Sequence, residues 1–353
     1  MNVRPLVLQV ERRPEEVRTP GRRWRGVERL AIVRHDRLGD FVLTLPAIDA
    51  LCRAYPKAEV ALVVSPAVRP LAEHVPGVAR VHAVSAGAWG LAGWLRRFAP
   101  DLVVCVSRSV GPAWAAWCAS VPHRVGTGRR FWSPLFDRAV VESRRSGGRH
   151  EVEYALSFAH RAGAGRGPAR FPLESDPAAV ARVEEWLAAA RVGAGFVVLV
   201  PGSGGSCPRW PARHHAQLAA RLRAAGLPVV VNAGPADGAA LEEFRAESER
   251  DDVPVFRMGP LELLELVERA GLVVGSSTAP IHLAAARGTP ALALHAPGSS
   301  CGPGRWGPYH ERGFALVAER LAAIAPEVVE RAALAILSGH PPRLEPDQPS
   351  HGA

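Results

Sequence analysis

The 353-residue chain is longer than one hydrophobic core comfortably fills and suits two domains, and its 48% hydrophobic content is enough to build both. The net charge of +9 comes from 43 Lys+Arg, all arginine except Lys57, against 34 Asp+Glu. That balance favours anionic partners such as a nucleotide, phosphate groups or an anionic membrane surface. Along the sequence the basic residues form no compact cluster with aromatics of the kind that nucleic-acid modules show, so no nucleic-acid partner is expected. No apolar run approaches the roughly 18 residues that a bilayer span needs, and the opening apolar run near Pro5–Leu8 is too short for a signal peptide. The five cysteines are odd in number and widely spaced, with no CxxC pattern. They point to a reducing compartment, with neither a disulfide framework nor a zinc site. The expected location is the cytoplasm.

Residues 1–27 are polar and rich in Arg and Pro, and read as a flexible arm. Regular structure is expected from a strand at Leu30–Val33, followed by RHDRLGD (34–40) and a helix over Phe41–Arg53. Leu45, Ile48, Leu51 and Cys52 share one side of that helix, and Pro46 implies either a first-turn position or a kink. Strands follow at Val60–Val64, Val78–Val84 and Asp101–Val106, with helices at Val68–Glu73, Trp89–Phe98 and Pro112–Ala119. This alternation is the pattern of an open parallel sheet. Residues 126–140 read as loop, then comes helix His150–Ala162, then a Gly-, Pro- and Arg-rich linker at 163–172. After a helix at Pro177–Ala190 the alternation restarts, with strands at Phe196–Val200, Pro228–Asn232, Leu272–Val274 and Ala291–Leu294. Helices are expected at Ala212–Ala225, Ala236–Glu247, Leu261–Ala270, Ile281–Arg287 (stopped by Gly288) and Pro326–Leu337. The tail, 339–353, reads as disordered. The fold class is therefore α/β, with Rossmann-like doubly wound domains at 28–165 and 172–338 facing a central cleft, and ligands at the carboxyl ends of the strands.

Three loops at such strand ends could carry chemistry: RHDRLGD (34–40), PGSGGSCPRWP (201–211) and GSSTAPIH (275–282). In the last, a strand runs through small polar residues into a helix N-terminus, where free N–H groups and a dipole of roughly half a positive charge suit a diphosphate. Alternatively, Ser277 or Thr278 simply caps the helix, stabilising it by about 1 kcal/mol. PGSGGS can form a backbone nest for phosphate, and Arg209 can add a bidentate contact. Asp40 stands where a helix should begin, and reads either as its N-cap or as a carboxylate able to take a proton from a hydroxyl. His282 either binds a phosphate or packs beneath the loop. His214 and His215 are adjacent on a helix, face different ways, and read as surface residues rather than a metal pair. Gly302, Gly304 and Gly307 match GxGxxG formally, but Pro303 and Pro308 crowd them and the match is accidental.

Taken together, the loops resemble glycosyltransferase family 9, the heptosyltransferases of lipopolysaccharide core assembly. RLGDFVLTLPAIDALCRAYPKAEV (37–60) is similar to that family's opening block, and PGSGGSCPRWPARHHAQLAARL (201–222) to the block that begins its second half. NAGPAD (232–237) and GLVVGSSTAPIHLAAARGTPALALHAP (271–297) complete the order, so the resemblance covers roughly residues 28–338. It implies a GT-B architecture, with the acceptor on the N-terminal domain and the nucleotide-sugar donor on the C-terminal one. It implies inverting, metal-independent transfer from a donor such as ADP-heptose to a lipid-linked or cell-envelope saccharide. No cofactor or metal is expected beyond the nucleotide sugar, and peripheral contact with the inner membrane face is. By the same resemblance Asp40 is the general base, and Ser203, Gly204, Thr278, Ala279 and Pro280 contact the donor phosphates with His282 close by. Asp237 falls near the donor ribose. Arg209 is a candidate cation for the diphosphate, and Arg129 and Arg130 are candidate contacts for acidic groups of the acceptor. The sequence departs from the family pattern at Pro208, where a lysine is common, and at Ser277, where an aspartate expected on the donor sugar is common. Those departures leave open a catalytically degenerate sugar-nucleotide binder. An oxidoreductase or epimerase on the same fold would want a well-placed glycine fingerprint that the chain lacks.

Overall fold

The computed structural model describes residues 6–9, 21–84, 87–142, 149–205, 207–248, 252–296 and 302–340. The chain divides into two compact units, residues 13–180 and residues 181–353 together with 1–12. The first is called the N-terminal unit and the second the C-terminal unit.

The first strand, β1 (Leu6–Gln9), belongs to the C-terminal unit. The N-terminal unit is built on a six-stranded sheet of β2 (Arg29–Arg34), β3 (Glu59–Val64), β4 (Arg80–Ala83), β5 (Leu102–Cys105), β6 (His123–Thr127) and β7 (Arg138–Val140). Their order is β4-β3-β2-β5-β6-β7 and every pairing is parallel. The central runs LAIV, ALVV and LVVC are apolar without interruption because a parallel sheet covered by helices is buried on both faces. Over it pack α1 (Leu38–Val42), α2 (Leu45–Ala54), α3 (Arg69–Ala72), α4 (Ala88–Phe98), α5 (Val110–Cys118) and α6 (Glu151–Arg161). Val33, Val63, Leu91, Leu95, Val103 and Phe136 lie in one buried cluster of this unit.

The C-terminal unit repeats the plan. Its strands β8 (Val197–Val200), β9 (Val229–Asn232), β10 (Val255–Phe256), β11 (Leu272–Ser276), β12 (Ala291–His295) and β13 (Gly313–Val317) are parallel, and β1 closes the edge antiparallel to β13. The order is β1-β13-β12-β11-β8-β9-β10. After α7 (Pro177–Ala189), the helices of this half are α8 (Ala212–Ala224), α9 (Gly238–Glu247), α10 (Pro260–Arg269), α11 (Ala279–Arg287), α12 (Pro303–Trp306) and α13 (Pro326–Leu337). Leu199, Trp210, Leu222, Phe244, Leu272 and Ile336 share its core.

Several expectations are corrected. The helix expected at Phe41–Arg53 is two helices, and Pro46 sits in the first turn of the second, where a missing N–H costs nothing. Residues 126–140 are not all loop, since they hold the end of β6, a 3-10 turn at Ser133–Leu135 and β7. His123, Arg124 and Arg138 interrupt these outer strands, so no apolar run marks them. Within the expected N-terminal arm, Leu6–Gln9 is a strand; the rest of residues 1–20 lies outside the described residues, as does the tail from 341. His215 is fully buried. It lies on the same face of α8 as the buried Leu218, Ala219 and Leu222, at helical spacings of three, four and seven, with its ring 4.8 Å from that of Trp210. Cys52, Cys105 and Cys118 are free thiols, whereas Cys207 is disulfide-bonded, which runs against the expectation of a reducing compartment.

Candidate functional site

In an open parallel sheet the ligand crevice forms where the strand order reverses, because the loops on either side of that point leave the sheet in opposite directions. In the N-terminal unit that point lies between β2 and β5, and in the C-terminal unit between β8 and β11. The three loops singled out from the sequence emerge at these two places.

At the first, Val33 pairs with Cys105, so His35 and Asp36 leave the sheet beside Ser107 and Arg108. Arg34, the last residue of β2, is buried and makes the centre of the site. Its Nη2 donates to Asp40 Oδ1 at 2.7 Å and lies 3.8 Å from Glu151 Oε1; its Nε lies 3.3 Å from Asp36 Oδ2, and its Nη1 donates to the Val106 carbonyl at 3.3 Å. Asp40 is in the first turn of α1 rather than at its N-cap, which is Arg37. Its carboxylate is thus directed to the arginine and is partly open to solvent. The Thr44 hydroxyl donates to the Asp40 carbonyl at 2.8 Å and fixes the turn. Ser109 Oγ lies 3.0 Å from Ser107 Oγ and 3.4 Å from His35 Nε2. Arg129 and Arg130 follow β6 on the same sheet edge, two strand positions and so about 10 Å from β2. Both are exposed, and the Arg130 guanidinium lies 5.9 Å from the Trp132 ring centre.

Sequence reasoning singled out Asp40 but not Arg34 or Glu151. Arg34 reads as a polar residue at a strand end, and Glu151 as one of two acids in the first turn of α6, where acids are common. The signal was that α6 is buried along residues 151–160 despite those acids, which requires partners for them.

At the second switch point Val200 pairs with Gly275, and a Cβ on Gly275 would lie 2.8 Å from the Val200 Cβ. The loops 201–211 and 276–280 therefore leave the sheet side by side. Gly204 and Gly205 have φ of +54° and +71°, a left-handed turn open mainly to glycine. Asp237 holds this turn from the side: its Oδ1 accepts from the Gly204 N–H at 2.9 Å and its Oδ2 from the Gly234 N–H at 3.0 Å. A Cβ on Gly202 would fall 2.0 Å from the Asp237 carboxyl carbon, so glycine is required for that approach. Asp237 thus braces the loop, and the Gly204 N–H is engaged by it. The Ser203 hydroxyl donates to the Cys207 carbonyl at 2.8 Å, and the buried Trp210 indole N–H donates to the Ile324 carbonyl at 2.9 Å, anchoring the loop at its far end. Arg209 is exposed and pairs with Glu243 at 3.1 Å.

Thr278 is the N-cap of α11 by backbone geometry, yet no side chain caps the helix; its hydroxyl donates instead to the Ser276 carbonyl at 3.2 Å. The reading of Thr278 or Ser277 as the helix cap is therefore set aside. The helix opens at Ala279, and Pro280, which has no N–H, stands in its first turn, so the backbone donors that α11 can offer there are those of Ala279 and Ile281. The Ser277 hydroxyl donates to the Trp306 carbonyl at 2.8 Å and lies 3.4 Å from His282 Nε2, and His282 is buried in the same turn. Gly302 is the N-cap of α12, so the GxGxxG match lies on a short helix after β12 rather than on the first βα turn of a dinucleotide fold. Among the described residues, no group of three His, Cys, Asp or Glu side chains is placed to hold a metal ion, and no helix is long and apolar enough to cross a membrane.

Two Rossmann-like units, each with its polar loops at the switch point, are the plan of the GT-B glycosyltransferases. A match to Glycosyltransferase family 9 (heptosyltransferase) spans residues 89–332, more than half of the chain, and the chain belongs to that family. It is a glycosyltransferase by that membership. Over 282 residues it is 24% identical to lipopolysaccharide heptosyltransferase 3 of Escherichia coli, covering 72% of this chain and 80% of that protein. The fold matches a family 9 glycosyltransferase from Veillonella parvula DSM 2008 with a TM-score of 0.78 at 20% identity, over 88% of this chain and 98% of that one. It matches E. coli ADP-heptose lps heptosyltransferase II with a TM-score of 0.74 at 21% identity, over 88% and 99% of the two chains.

Proposed function

We propose that the protein transfers a heptose or related sugar from a nucleotide-diphosphate donor such as ADP-heptose to a lipopolysaccharide-core or other lipid-linked cell-envelope saccharide at the cytoplasmic membrane face, inverting the anomeric centre without a metal ion. The observation that carries the reading is the Asp40 carboxylate, held 2.7 Å from buried Arg34 at the switch point of the N-terminal unit. In a single displacement the acceptor oxygen bonds to the anomeric carbon as the bond to the diphosphate breaks. The electron pair leaves with the diphosphate and the acceptor proton passes to Asp40. On the C-terminal unit, Ser203, Thr278, Ala279 and Pro280 border the diphosphate, with His282 beneath. The N–H groups that open α11, together with Arg209, stabilise the charge growing on the leaving group. The Arg209–Glu243 pair is a surface bridge worth at most about 1 kcal/mol, so its guanidinium is readily drawn to phosphate. Asp237 acts by holding the phosphate loop in shape, a role its two backbone contacts support better than a ribose contact. Arg129 and Arg130 serve acidic groups of the acceptor.

A second reading, a sugar-nucleotide binder without turnover, draws on Ser277, whose hydroxyl is committed to the Trp306 carbonyl at the position where the family resemblance implies an aspartate on the donor sugar. A donor screen separates the two. Nucleoside diphosphate release is followed from ADP-heptose and from UDP-, GDP- and dTDP-sugars, with and without a core-saccharide acceptor. Release from ADP-heptose stimulated by acceptor is expected. Tight donor binding with no release under any acceptor favours the binder, and no binding of any sugar nucleotide ends both readings.

A further inference from the structure

Helix α5 is apolar on every side. Pro112, Ala113, Ala115 and Ala116 are buried against the sheet. Val110, Trp114 and Trp117, spaced i, i+4 and i+7, form a second stripe that is 43%, 39% and 49% exposed. A helix apolar all round belongs inside a core or against lipid, and this one is covered on one side only. The Trp114 and Trp117 rings lie 5.3 Å apart. Helix α4 runs beside α5 in the same direction: a Cβ on Gly111 would sit 4.0 Å from the Ala88 Cβ, and the Arg96 guanidinium donates to the Cys118 carbonyl at 2.8 Å. Trp89, 70% exposed, therefore stands next to the start of α5. On the other flank the turn at Ser133–Leu135 packs on α5 and carries Phe131, 87% exposed, just before it. Five of the eight exposed large hydrophobics among the described residues thus fall on one face, and an apolar cluster of that kind marks an interaction surface.

The same face is basic. Arg96, Arg108, Arg129 and Arg130 are exposed around the aromatics, and α4, α5 and residues 128–135 contain no Asp or Glu. A second copy of the chain would bring like charges together, which opposes self-pairing. We propose that this face docks on an anionic lipid bilayer, with Trp89, Trp114, Trp117 and Phe131 seated at the headgroup level and the arginines on acidic headgroups. The patch reaches the Asp40 edge of the sheet, since Val110 follows Ser109, whose hydroxyl lies 3.4 Å from His35. Docking there sets the RHDRLGD loop close to the headgroups, where a lipid-linked saccharide presents its hydroxyls.

The inference deepens the reading of a membrane-linked acceptor, but its test uses neither donor nor acceptor. The full chain is co-sedimented with phosphatidylcholine vesicles with and without phosphatidylglycerol, at low and raised salt. Binding that requires phosphatidylglycerol and weakens with salt is expected. Trp114→Ser/Trp117→Ser lowers it about tenfold or more, and Arg129→Ser/Arg130→Ser lowers it about twentyfold or more. The tryptophan variant keeps donor-dependent nucleoside diphosphate release with a soluble acceptor, and the arginine variant, altered only in an exposed loop, covers the case in which the tryptophan variant misfolds. Equal binding to both vesicles, no binding to either, retained binding in the arginine variant, or a dimer that the tryptophan variant dissolves overturns the inference. A protein without transferase activity that still binds the anionic vesicles leaves it standing.

Discussion

At the switch point of the N-terminal unit the polar atoms belong mostly to charged side chains: Arg34 sits among Asp36, Asp40 and Glu151, with one backbone carbonyl. At that of the C-terminal unit they belong mostly to the backbone and to hydroxyls, held in shape by glycines and by one bracing carboxylate. The sheet plan is the same, but the chemistry asked of it differs. Moving a proton needs one side chain with a definite charge, and charge at a buried place has to be balanced by other side chains. Holding a diphosphate, the role proposed for the second site, needs many donors at modest strength, which backbone N–H groups can supply without burying a charge. The first site should therefore break when a side chain changes, and the second when the backbone is pushed.

The largest effect on stability is expected in the N-terminal unit. Arg34→Ala removes the buried guanidinium that Asp36, Asp40 and Glu151 surround and should destabilise the fold by about 3–5 kcal/mol in urea denaturation. Arg34→Lys should recover only part of this, since an ammonium cannot reproduce the fork that spans Asp40 and the Val106 carbonyl. A loss under 1 kcal/mol would mean that the charges balance some other way.

In the C-terminal unit Gly202→Ala drives a methyl into the Asp237 carboxylate and should cost about 2 kcal/mol through its two backbone contacts, with donor affinity falling about tenfold. Asp237→Ala loses the same contacts, so the double variant should be little worse than either single one. Strict additivity in a double-mutant cycle would show that Gly202 and Asp237 act separately.

A smaller effect follows from His215, whose pKa burial lowers from 6.5 to about 3. The unfolded chain takes up a proton there below about pH 6.5 and the folded chain does not. Stability from this group is thus complete above that pH and is lost toward pH 3 with a slope of up to about 1.4 kcal/mol per pH unit. His215→Leu should flatten that limb of the stability profile. An unchanged slope would place the acid sensitivity elsewhere.

The alternation of strands and helices was legible because parallel strands buried on both faces read as unbroken apolar runs. The outer strands were not: β6 and β7 carry His123, Arg124 and Arg138, and the short run at Leu6–Gln9 looks like nothing until β13 gives it a partner. Asp40 and the phosphate-type loops stood out as candidates because turn chemistry is local. The partners of Asp40 did not, because Arg34 and Glu151 meet only through the packing of α6 against the sheet. His215 was misread for the same reason, since a polar residue on an apolar helix stripe is buried by what packs over it.

The most direct test of the account is steady-state transfer by wild type and Asp40→Asn with the donor identified by the screen, with donor affinity titrated on both proteins. The account predicts that kcat falls about 100-fold or more while donor affinity is unchanged, because Asp40 lies on the N-terminal unit and the loops proposed to hold the diphosphate lie on the other. Retained turnover in Asp40→Asn, or a loss that lies wholly in donor affinity, would contradict it.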